Sequence, residues 1–77
     1  MGISNITAIE IKLAYPEDLI MISAGGSDEK YAGYMYRLNE DKTIHKILIS
    51  TQPVFKSEQE AEDAMKDIAE QCVKMEI

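Results

Sequence analysis

From Ser57 onward, Ala61, Ala64, Met65, Ile68, Ala69, Cys72 and Met75 recur at intervals of three and four residues, which lines apolar side chains along one side of a helix. The spacing predicts a helix over 57–75. Ser57 followed three residues later by Glu60 forms a capping box, in which each side chain accepts from a backbone N–H that the helix leaves unpaired. Acidic residues crowd the first two turns, where the helix dipole is positive. Glu62 with Lys66 and Glu70 with Lys74 stand four apart in the stabilising order. Pro53 keeps the helix from beginning earlier.

Upstream the period is two. Thr7, Ile9, Ile11 and Leu13 alternate with Ala8, Glu10 and Lys12, which predicts a strand over 5–13 with one apolar face. Tyr15 to Asp18 form a turn around Pro16. Leu19 to Ile22 are apolar at every position, as in a strand covered on both sides or a buried helical turn; Gly25-Gly26 ends that run too early for a good helix, so a strand is placed over 18–24. Residues 25–30 are small or charged and fit a loop. Over 31–38, Ala32, Tyr34, Tyr36 and Leu38 alternate with Tyr31, Gly33, Met35 and Arg37, which predicts a strand. Asn39 to Lys42 connect it in a hairpin to a last strand over 43–51, where Ile44, Ile47, Leu48 and Ile49 supply the bulk.

The predicted fold is α+β: a four-stranded antiparallel meander with one C-terminal helix packed on one face (ββββα), forming a single small domain over 1–77. Met65, Ile68 and Cys72 are expected to pack against Ile9, Ile11 and Ile47. One helix of about 19 residues spans roughly 28 Å and covers one sheet face only. A second copy, paired sheet against sheet or edge against edge, is expected to cover the other.

Size strengthens the expectation of a homodimer. A chain of 77 residues removes only about 60% of its surface from water on folding, and small domains usually add a disulfide, a metal or a subunit. Cys72 stands alone, so no internal disulfide forms. The start, MGISNITAIEIK, lacks the basic and apolar regions of a signal peptide, and no stretch approaches the length that spans a bilayer. A cytoplasmic protein with a free thiol is expected, with no membrane association.

Charge narrows the partners. The net charge is -6, and it is uneven: residues 57–77 hold seven acids and two bases, whereas residues 1–56 hold seven acids and six bases. Such a chain repels a phosphate backbone, so direct nucleic-acid backbone binding is not expected. It favours a protein partner with a basic surface, met by Glu58, Glu62, Asp63, Asp67 and Glu70 on the predicted helix.

Chemistry is harder to find. His45 lies on a predicted strand and Cys72 on the apolar side of the helix, so neither belongs to a ligand cluster, and no metal or cofactor is expected. Gly25-Gly26-Ser27 is followed by Asp28 and Glu29 rather than by a helix, unlike a phosphate-binding glycine loop. No nucleophile, base and orienting acid assemble by spacing. The expected function is therefore a non-enzymatic protein-binding module. In size and acidity it resembles, in general character, the small proteins of phages and mobile elements that bind and block host machinery, and that resemblance assigns no residue a role. The alternative is a small-ligand or nucleotide-binding protein with a pocket at a homodimer seam, in which Tyr34 and Tyr36 stack on a base while Arg37 and Lys46 hold an anion.

Overall fold

A computed structural model describes residues 4–76, so residues 1–3 of the start read above and Ile77 lie outside it. The element order is α1 (Asn5–Ala14), β1 (Ile20–Ser27), β2 (Lys30–Leu38), β3 (Ile44–Ser50) and α2 (Glu58–Lys74). The strands form one antiparallel sheet in the order β1-β2-β3. The fold is thus α+β with an antiparallel sheet, as predicted, but it is αβββα rather than ββββα.

The difference lies in residues 5–13, which form a helix and not a strand. Over ten residues the two periods overlap, because Ile11 belongs to both the alternating set and the helical set Ala8, Ile11 and Ala14. Those three are buried, while Leu13, inward-facing in a strand, is 67% exposed. Ser4 decides the outcome locally: its Oγ accepts from Thr7 N–H and caps the first turn. At the other end, Lys12 reaches across to α2, where its Nζ donates to the carbonyls of Val73 and Met75 at 2.8 and 2.6 Å. A cation there complements the negative end of the α2 dipole.

The first hairpin also runs further than expected. β1 continues through Gly25 and Gly26 to Ser27, which pairs with Lys30, so only Asp28 and Glu29 turn the chain. Both have positive φ, 53° and 60°, as a two-residue type I′ turn requires. β2, β3 and α2 match their predicted ranges to within a residue or so. Ser57 caps α2 by accepting from Glu60 N–H at 3.1 Å, and Glu60 Oε2 answers by accepting from Lys56 N–H at 2.7 Å.

Both helices lie on one side of the sheet. Ala8 and Ile11 of α1, Met35 of β2, and Met65, Ala69 and Cys72 of α2 form the buried cluster, with Ile20, Ile22, Leu48 and Ile49 packed against it. Gly33 lets α2 come close to the sheet: a Cβ there would lie 2.9 Å from Met65 Cγ and 3.1 Å from the Ala61 carbonyl oxygen. Lys46 of β3 holds Glu10 of α1 at 2.7 Å on the same side.

Ile47 was expected beneath the helix. The pairing of β2 with β3 slips between Met35–Ile49 and Tyr36–Ile47, leaving Leu48 as an extra residue. Leu48 and Ile49 turn toward the core, and Ile47 pairs with Tyr36 on the opposite face, 51% exposed. Of the other residues expected at that contact, Met65, Cys72 and Ile11 are buried, whereas Ile9 and Ile68 are half-buried.

Candidate functional site

The five acids singled out on α2 do not form one continuous face. At 100° per residue, Asp63, Asp67 and Glu70 fall within an arc of about 60° on the side away from the sheet. All three are exposed. Glu62 lies about 80° further round, and Glu58 further still, each three residues before a buried position of the apolar stripe, Met65 and Ala61 respectively. Glu62 is accordingly half-buried. Lys66 interrupts the sequence between Glu62 and Glu70, and Lys74 falls within the outer arc. Among the described residues, none of the five carboxylates has a cation within 4.0 Å, including the two lysines placed four residues on. Asp63 and Asp67 accept instead from Gln59 and Gln71, each at 2.8 Å.

The four residues of the alternative ligand set are split by the sheet. Tyr34 and Tyr36 lie on the face away from the helices, with rings stacked at 6.3 Å and 27°. Arg37 follows Met35 by two residues and so shares the helix side, where it pairs in register with Lys46. Its guanidinium donates to the Leu38 carbonyl, and Lys46 is engaged by Glu10. Tyrosine faces and cations are therefore not brought together within one copy.

The tyrosines stand on the sheet face that the sequence already leaves without a helix. Met21 pairs with Tyr36, Ser23 with Tyr34, Ile47 with Tyr36 and Ile44 with Leu38, so these side chains share one side of the sheet. No helix covers that side. Ile44 and Ile47 are 55% and 51% exposed. From Met21 through Tyr36 to Ile44 and Ser50 its side chains are uncharged, and Lys30, paired with Ser27 beside the turn, is the charged strand residue on this side among the described residues. The signal was present in the alternation of 31–38, which placed both tyrosines opposite Met35.

On the helix side, a groove of about 460 Å³ opens between α1, α2 and β3, lined by Asn5, Ala8, Ile49, Ile68 and Cys72 among others. Burial pushes the Cys72 thiol above its ordinary pKa, which keeps it protonated and a poor nucleophile at neutral pH. Among the described residues, no three His, Cys, Asp or Glu side chains converge on a point where a metal could sit, and no helix is long and apolar enough to cross a membrane. No protein-family model, curated protein or solved structure matches this chain.

Proposed function

We propose that this protein is a non-enzymatic protein-binding module that presents the outward side of α2 to a partner with a basic surface. The observation that supports it most is where the charge lies. α2 holds six acids against two lysines, a balance of -4 within a chain total of -6, while on the open sheet face the strands place one charged side chain, the cation Lys30 beside the first turn. A cationic surface is drawn to the helix layer, where Asp63, Asp67 and Glu70 project and are free of competing ion pairs among the described residues. Glu62 and Glu58 extend the field toward the start of α2. Docking of this kind blocks the partner's surface and needs no bond chemistry.

Recovery of partners from the native host cell, with the wild type and with Asp63→Lys/Asp67→Lys, tests the proposal. Both positions are exposed, so the variant should keep its helix content. The expected result is loss of the partner on charge reversal, and weakening of wild-type capture as salt shortens the Debye length from about 10 Å at 0.1 M to about 3 Å at 1 M. Undiminished recovery by the charge-reversed chain removes α2 from the account.

A further inference from the structure

We infer that a second copy of this chain covers the open sheet face, pairing sheet to sheet so that the two α2 layers point outward in opposite directions. The proposal is independent of what α2 binds. Met21, Tyr34, Tyr36, Ile44 and Ile47 make this side apolar and aromatic, with Ile44 and Ile47 more than half exposed. Apolar and aromatic side chains gathered on one uncovered face of a small domain mark an interface.

Charge identifies the occupant. On a chain of net charge -6, the carboxylates of α2 would steer a basic partner to the helix layer, and the sheet face, whose charged strand residue is the cation Lys30, offers it nothing to pair with. A second copy needs no opposite charge, because the uncharged patch from Met21 to Ile47 meets itself across a twofold axis. Stacked sheets lie about 10 Å apart, and a helix layer adds about the same on each side, so the two α2 layers would stand about 30 Å apart. That is roughly three Debye lengths at 0.1 M salt, so the acidic layers scarcely repel.

The dimensions suit such a contact. The chain has extents of 37, 28 and 16 Å, so its broad side has a flat outline of about 1,000 Å², of the same order as the roughly 800 Å² of accessible surface that each partner buries in a standard stable interface. Most of the broad side must therefore be engaged, which favours face-to-face stacking over an edge contact along β3.

Sedimentation equilibrium from sub-micromolar to hundreds of micromolar tests the proposal. The wild type is expected to pass from 8.7 kDa to twice that mass as concentration rises. Ile47→Asp places a carboxylate where water reaches it in the single copy, so the variant should keep its far-ultraviolet circular dichroism and remain at 8.7 kDa. Ile44→Asp serves the same purpose if Ile47→Asp does not fold. Asp63→Lys, on the opposite side, should still double its mass. A wild type that stays single throughout overturns the inference while leaving partner capture by α2 to be judged separately. Doubling that survives both aspartates overturns it equally, by placing the contact elsewhere.

Discussion

Gly33→Ala isolates the contact on which the two-layer packing rests. Gly33 has no positive φ that would demand glycine, so in an open strand alanine would stabilise by about 0.5–1 kcal/mol through the less flexible unfolded chain. The structure opposes that gain. The new Cβ would stand 2.9 Å from Met65 Cγ and 3.1 Å from the Ala61 carbonyl oxygen. Met65 is fully buried and the carbonyl belongs to the α2 backbone, so the helix must lift by a few tenths of an ångström. Overpacking of this sort costs about 1–3 kcal/mol, which leaves a net loss of up to about 2.5 kcal/mol. In urea, with a slope of about 1 kcal/mol/M for a chain this small, the midpoint should fall by up to about 2.5 M. Gly25→Ala is the matched control, because its Cβ meets only Tyr34 Cε2 at 3.7 Å on the other face. It should be neutral or stabilising. If both variants move the midpoint upward, α2 does not approach the sheet at Gly33 as described.

Two further outcomes follow from the hairpins. Glu29→Gly should stabilise by about 0.5–1 kcal/mol, since a non-glycine residue in the left-handed region costs about 1–2 kcal/mol and glycine's own flexibility offsets part of the relief; a thermal midpoint equal to or below wild type refutes it. In the second hairpin, the Thr43 hydroxyl and backbone N–H donate to Asp41 and hold its carboxyl below the usual aspartate range. A depressed folded-state pKa means that the contribution is present above the unfolded value and is lost as pH falls through the folded one. Carbon-detected titration should find Asp41 deprotonating at lower pH than in Thr43→Ala, and coincident curves refute the contact.

The elements that could be read from sequence are those in which several local signals agree. For α2, apolar spacing, the Ser57 cap and the acidic first turns point the same way; for β2 alternation does so, for β3 the bulk of Ile44, Ile47, Leu48 and Ile49, and between them a polar hairpin. Residues 5–13 carried two periods at once, and the decision fell to the Ser4 cap and to burial against α2, a contact made far away in sequence. The bulge at Leu48 is a property of the β2–β3 pairing, so the exposure of Ile47 could not be read from β3 alone. Site residues divide similarly. Alternation already set Arg37 on the opposite side from Tyr34 and Tyr36, whereas the dispersal of Glu58 and Glu62 away from Asp63, Asp67 and Glu70 appears only once residues are counted around the helix.

The bond from Lys12 to the Val73 carbonyl closes a span of 61 residues, and α1 packs on α2 more than on the sheet. During synthesis at about 5–20 residues per second, α1 would therefore wait about 3–12 seconds for its docking surface to be made. A helix of ten residues is only marginal by itself. In that interval the segment is free to use its other period, and the unpaired edges of β1 and β3 offer it somewhere to pair as a strand. The Ser4 cap thus bears on more than the stability of a helix end: whatever bias it gives the nascent segment toward helix acts against the strand pairing that the same residues would otherwise offer the growing chain.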